Sequence, residues 1–205
     1  TKAKTGMRQN KMKIIGITGG VGAGKSTVLD YLREQFHAYV IQADQVGHQV
    51  MEPGEICYSQ VIALFGEHIL KKDKTIDRKA VSDVVFGNEE KLKKLNGIIH
   101  PAVRQSVLEE IQLQKEKKTA IVVVEAALLL EEHYEKFCDK VWYVHTDREI
   151  RISRLMENRG YSREKSESII SSQAPDEYFA KHADYIIRNN GDIKDTWLQV
   201  EEGIR

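Results

Sequence analysis

The stretch Gly19-Gly-Val-Gly-Ala-Gly-Lys-Ser-Thr27 combines residue types and spacing that can do chemistry. Gly19, Gly24, Lys25 and Ser26 satisfy the pattern G-x-x-x-x-G-K-[ST]. Glycines let the chain turn tightly enough for successive backbone N–H groups to point inward at phosphate oxygens. A helix starting near Ser26 would aim its positive end at the same anion. Lys25 would bring a mobile charge to the β- and γ-phosphates, and the Ser26 hydroxyl would ligate Mg²⁺. The dinucleotide pattern G-x-G-x-x-G cannot be laid over these glycines, so the segment reads as a nucleoside triphosphate site.

Such a loop does not separate a kinase from a switch. Asp44-Gln-Val-Gly47 spells the D-x-x-G of switch GTPases, but the chain has no N-K-x-D segment to read guanine. Asp44 also follows the loop after only one helical and one strand pattern, so the match is read as accidental. A carboxylate at the carboxyl end of a neighbouring strand can instead take the proton of an attacking hydroxyl and help hold Mg²⁺. The competing role for Asp44 is to cap the helix that follows. Arg148, Arg151 and Arg154 recur every third residue, with Arg159 and Arg163 beyond them. An arginine-bearing lid would supply positive charge to a transferring phosphoryl group. A solvated helix face paired with Glu149 and Glu157 is the alternative.

The elements that must position these groups follow from periodicity. Lys13–Thr18 is a β-branched run, and Val28, Leu29, Leu32 and Phe36 share one helical face. Strands are expected at Tyr39–Ile41, Ala120–Val124, Val141–Val144 and Tyr185–Ile187. Helices are expected around Val61–Phe65, after an Asp77 cap, after Asn88, and after a break at Pro101. The pattern predicts an α/β fold of the P-loop NTPase kind: three layers, a parallel five-stranded sheet, a helical insertion and a helical lid. Its nucleotide-binding core would comprise 1–45, 119–146 and 183–205, with the insertion at 46–118 and the lid at 147–182.

The 205 residues suit one core with insertions, and Lys+Arg and Asp+Glu both number 31, a formal net charge of zero. Bulk charge therefore gives no support for nucleic-acid or membrane binding. Cys57 and Cys138 are far apart and outside ligand spacing, which points to a reducing, cytoplasmic setting without zinc or disulfides. The apolar run around Ile121–Leu130 is interrupted by Glu125 and too short to span a bilayer. The first eleven residues, basic and without an acid, read as a leader or tag, with Met12 an alternative start.

Beyond the glycine loop, Ala43-Asp44, Pro53-Gly54, His100-Pro101, Leu128-Leu-Leu-Glu131, Arg154-Leu-Met156, Gly160-Tyr-Ser162, Gln173, Ala183-Asp184 and Asn189 occur in an order that resembles the dephospho-CoA kinase family. The resemblance implies transfer of phosphate from ATP, with Mg²⁺, to the ribose 3′-hydroxyl of dephospho-CoA. It makes Asp44 the base and assigns Lys25 and Arg154 to neutralising the transferred group. ATP would lie on Gly20, Val21, Gly22, Ala23, Gly24, Lys25, Ser26 and Thr27, with Asn189 near the adenine. Ser26 would be the metal ligand, and Asp44, His48 and His100 would contact the acceptor. His100 also has a plain reading as a helix-entry residue before Pro101. The implied enzyme is cytoplasmic, a monomer or small homo-oligomer. Gln42 stands where the family usually has Asp, His48 where it often has Arg, and Ala127 where it has Pro, while the lid reads Asn158-Arg159-Gly160 in place of Arg-Asp-Gly. A nucleoside or nucleotide kinase of the same fold, or a nucleotide sensor without transfer, are the alternatives.

Overall fold

The computed structural model describes residues 11–205, so the expected leader lies outside the described residues except for Lys11. The chain divides into two units, one running to Val40 and resuming over Gln114–Arg205, the other spanning Ile41–Leu113.

The first unit holds the glycine loop. Strand β1 (Lys13–Thr18) buries Ile15 and Ile17 completely, and the loop leaves its carboxyl end. Helix α1 (Lys25–Phe36) buries Val28, Leu29 and Leu32, and closes at His37 in the left-handed conformation. Strands β2 (Tyr39–Gln42), β3 (Ile121–Glu125), β4 (Lys140–His145) and β5 (Tyr185–Arg188) complete a parallel sheet in the order β2-β3-β1-β4-β5. β1 is therefore central. In the β1–β3 register Ile17 pairs with Glu125, which brings that carboxylate to the level where the glycine loop begins. This is the expected three-layer α/β arrangement.

The core of this unit is a continuous cluster of Ile15, Ile17, Val28, Leu29, Leu32, Val123, Trp142, Val144, Ile187 and Val200. Burial of such side chains supplies about 1.5–3 kcal/mol each, which is what makes the loop's anchorage rigid. After β4 come helices α6 (Arg148–Arg159), α7 (Arg163–Ser171) and α8 (Asp176–His182). Gly160 ends α6 with φ 63°, and the Ser162 hydroxyl caps α7 by accepting the Lys165 N–H. Ile152, Leu155 and Ile170 form a second small core that also takes Val21 of the glycine loop. Helix α9 (Ile193–Ile204), capped by Asp192, closes the chain.

The second unit is helical: α2 (Ala43–Gln49), α3 (Tyr58–Phe65), α4 (Arg78–Val85) and most of α5 (Glu89–Glu116). Asp77 caps α4 as expected, accepting the N–H groups of Lys79 and Ala80. The expected break at Pro101 does not occur, because Pro101 lies inside the 28-residue α5. A proline in a helix interior costs about 3 kcal/mol. Here the apolar stripe Leu95, Ile99, Val103, Val107, Ile111 keeps a four-residue step straight through it. Leu95, Val103, Val107 and Ile111 are all buried, and that packing outweighs the lost bond.

Candidate active site

The glycine loop is held from both sides of its apex. The Val21 N–H donates to the Gln173 side-chain oxygen at 3.0 Å, while the Val21 carbonyl accepts from Arg151 Nε at 2.9 Å. Arg151 also donates to the same Gln173 oxygen at 2.9 Å, closing a ring of three bonds. Arg151 is buried at 5% exposure and its guanidinium lies against Gly20, where any Cβ would collide with it. Burial lowers the Arg151 pKa somewhat, and Asp176, 3.5 Å away, acts in the opposite direction. The Tyr143 hydroxyl donates to Asp176 at 2.7 Å. Burial, and then that bond, push the Tyr143 phenol far up, so it remains neutral and donating.

The loop's far side is secured by a second set of contacts. Asn189, buried, donates through Nδ2 to the Ala23 carbonyl at 2.9 Å and accepts from Thr196 at 2.9 Å. The Thr146 hydroxyl reaches the same carbonyl at 2.9 Å. Gly24 sits at φ 85° with the Asn189 amide where a Cβ would stand, so both its conformation and its space demand glycine.

Lys25 opens α1, and its Nζ donates to the Gly19 carbonyl at 2.8 Å. It also lies 3.7 Å from Glu125 Oε1. Glu125 is 6% exposed, the acid that closes an otherwise apolar strand. Sequence reasoning saw in it only an interruption of the apolar run around Ile121–Leu130. The available signal was a carboxylate closing a buried apolar run, a position expensive to occupy without a charge partner.

The residues present fit an Mg²⁺ ion. Ser26 offers an exposed hydroxyl in the first turn of α1, Glu125 a carboxylate, and Thr18, fully buried at the end of β1, an oxygen with no hydrogen-bond partner. All are oxygen donors, as a hard cation requires. No group of three or more His, Cys, Asp or Glu side chains that could hold a metal exists among the described residues.

The structure separates the arginines that the sequence grouped. Arg151 lies under the loop. Arg154 donates to the Asn189 carbonyl at 2.9 Å and lies 3.4 Å from the Gly22 and 3.5 Å from the Ala23 carbonyl. Arg163 is a surface residue paired with Glu149 at 2.6 Å and Glu167 at 2.9 Å, the solvated-face alternative, and such pairs contribute little. Arg148 is likewise exposed, donating to Ser171 at 3.0 Å.

In the second unit, Asp44 is exposed in the first turn of α2. The cap position belongs to Gln42, so Asp44 does not cap the helix. His48 follows one turn later and its Nδ1 lies 2.7 Å from Arg78. Burial, then the Arg78 charge, lowers the His48 pKa, so the imidazole is neutral and accepts from the guanidinium. His100 is half-buried within α5, not at a helix entry.

A parallel sheet with a phosphate-binding loop leaving its central strand, a lysine in that loop and a buried acid beside it define a nucleotide-binding protein of the P-loop class. The sequence model of the family described as dephospho-CoA kinase matches residues 13–195, and the chain belongs to that family. The Shouchella clausii dephospho-CoA kinase is 39% identical over 190 residues, covering 93% of this chain and 96% of that protein. The Geobacillus kaustophilus dephospho-CoA kinase is 42% identical over 186 residues, covering 91% and 92%. Among solved structures, dephospho-CoA kinase from Campylobacter jejuni aligns with a TM-score of 0.70 at 29% identity, covering 93% of this chain and 94% of that one. Shikimate kinase from Acinetobacter baumannii, at 15% identity and a TM-score of 0.53, shares the fold alone. The chain is thus an enzyme that uses ATP to phosphorylate dephospho-CoA, the final step of coenzyme A synthesis.

Proposed function

We propose that Asp44 is the base of this reaction, accepting the proton of the ribose 3′-hydroxyl as its oxygen attacks the γ-phosphorus. The bond to the β–γ bridging oxygen breaks in line, ADP leaves, and the proton remains on the Asp44 carboxylate. The observation that supports this is that Asp44 is an exposed carboxylate directly after β2 with no capping duty. Gly20, Val21, Gly22, Ala23, Gly24, Lys25, Ser26 and Thr27 bind the ATP phosphates, and Lys25 neutralises the transferring group. Ser26, with Glu125, holds Mg²⁺, which draws charge from the γ-phosphate when bound. Asn189 acts through the loop backbone, and Arg154, which also contacts that backbone, joins Lys25 in neutralising the transferring group.

His48 and His100 contribute to acceptor binding within a helical region at 46–118. The core comprises 1–45, 119–146 and 183–205, and 147–182 is the lid. The enzyme works in the cytoplasm as a monomer or small homo-oligomer. No helix among the described residues is long and apolar enough to cross a membrane.

Asp44→Asn tests the central assignment. ADP release dependent on dephospho-CoA should fall roughly 10²–10⁴-fold in kcat with the KM for ATP unchanged. Near-normal turnover would remove Asp44 from the chemistry.

A further inference from the structure

Val21, at the apex of the glycine loop, is gripped on both of its peptide planes. Arg151 Nε donates to the Val21 carbonyl at 2.9 Å, and the Gln173 side-chain oxygen takes the Val21 N–H at 3.0 Å. A peptide unit is planar and trans, so its carbonyl and the N–H of the next residue point in opposite directions. Turning the Val21 carbonyl towards Arg151 therefore turns the Gly22 N–H away from it. The same arrangement recurs two residues on. Asn189 and Thr146 both donate to the Ala23 carbonyl at 2.9 Å, which turns the Gly24 N–H away from them. Gly22 and Gly24 have φ of 77° and 85°, left-handed values of the kind that gather backbone N–H groups on one concave side.

The direction of the Gly22 N–H thus depends on where Arg151 is held. The Arg151 side chain is only 6% exposed, and a buried guanidinium without a counter-charge is costly. Asp176 meets it at 3.5 Å from the first turn of α8. The same carboxylate oxygen accepts the Tyr143 hydroxyl at 2.7 Å. Tyr143 is itself fixed, buried in β4 with its ring stacked on Phe179 at 5.3 Å. His145, also on β4, brings Nδ1 within 3.8 Å of the other Asp176 oxygen.

We propose that Asp176 is a positioning residue for ATP: it holds Arg151 in the orientation that aims the Gly22 N–H at the phosphates, and Tyr143 holds Asp176. The proposal rests on the glycine loop being the seat of the ATP phosphates. The influence of Asp176 passes through Arg151, so the two side chains act as one unit on nucleotide affinity. Asp176 is 38% exposed, and solvent screening keeps its effect moderate.

The test uses Asp176→Asn, Asp176→Glu, Tyr143→Phe, and Asp176→Asn combined with Arg151→Met, all in the full chain. Calorimetric titration gives the ATP affinity, and steady-state kinetics give kcat and the KM for each substrate. Asp176→Asn should weaken ATP binding roughly 3- to 10-fold, leaving the KM for dephospho-CoA and the kcat at saturating ATP within about twofold. Asp176→Glu keeps the charge and should recover part of the loss. Tyr143→Phe keeps the ring on Phe179 and should weaken ATP binding about twofold. In the Arg151→Met background, Asp176→Asn should cost less than about 1.5-fold further. An ATP affinity within about 1.5-fold of wild type in Asp176→Asn overturns the proposal, and so does an undiminished loss on top of Arg151→Met. A fall in kcat with ATP affinity retained marks a merely structural role and overturns it too. If Gly24→Ala binds ATP as the wild type does, the reading of the loop fails and the proposal with it.

Discussion

Arg151 and Gln173 hold each other at 2.9 Å, and the same Gln173 oxygen takes the Val21 N–H while Arg151 takes the Val21 carbonyl. The glycine loop is rigid because a buried arginine and a glutamine from the turn after α7 have closed on its backbone. Preorganised N–H donors cost nothing to align when the phosphates arrive, which is where such a loop obtains its affinity.

Gln173→Ala should therefore raise the KM for ATP by roughly 2- to 10-fold, the value of a neutral hydrogen bond. The KM for dephospho-CoA should be unaffected. Arg151→Met should weaken ATP binding further and lower the melting temperature as well, because it removes the counter-charge to Asp176. Steady-state kinetics on both substrates, with thermal melts, check these outcomes.

Gly20→Ala and Gly24→Ala should each fold with impaired nucleotide binding, while Gly191→Ala should be neutral. The added methyl at Gly20 meets the Arg151 guanidinium, and at Gly24 it meets Asn189 in a left-handed conformation that costs a non-glycine residue about 1–2 kcal/mol. Gly191 has open space around it, and its change should stay within about 0.5 kcal/mol. Calorimetric titration with ATP separates the three.

Glu125→Gln should shift the Mg²⁺ concentration needed for half-maximal rate upward by roughly 10- to 100-fold. Lys25→Met should instead lower kcat by about 10²–10³-fold at saturating Mg²⁺, because it removes charge stabilisation from the transferring phosphoryl group. Rate measured against Mg²⁺ at fixed ATP distinguishes a metal effect from a phosphate effect.

Burial, and then the neighbouring Asp139 and Glu135, push the Cys138 thiol up to about 12. Its folded pKa lies above the unfolded value, and the folded form is the neutral thiol. The contribution to stability is thus fully present below about pH 8.5, the free-thiol value, and is lost as pH rises towards 12. At pH 8 the Cys138 thiol should react with a thiol reagent much more slowly in native protein than after denaturant is added. Cys138→Ala should flatten the alkaline loss of stability, as denaturant melts from pH 8 to 10.5 would show.

Much was legible in the chain itself. The glycine loop announces a triphosphate site because its function is local: consecutive N–H groups and one lysine make the cradle. The five strands were legible as short β-branched or apolar runs, and the helix after the loop from its 3.6 period. Asp77 as a cap was legible from its place before an apolar helical pattern. The ordered motifs from Ala43-Asp44 to Asn189 then carried the family.

The tertiary structure decided what periodicity cannot reach. Pro101 looked like a helix boundary because its cost is local, whereas the stripe from Leu95 to Ile111 that outweighs it draws its energy from packing. Arg151, Arg154 and Arg163 look alike in sequence. The fold buries the first beneath Gly20, ties the second to the Asn189 carbonyl and leaves the third among surface carboxylates. Glu125 gained a role only when β3 paired with β1 and set it beside Lys25. Arg78, thirty residues from His48, met it only once α2 and α4 had folded. Residue type and spacing determined the chemistry of phosphate binding, because one short segment performs it. Which charged side chains serve the site depended on contacts between distant segments, and those exist only in the folded chain.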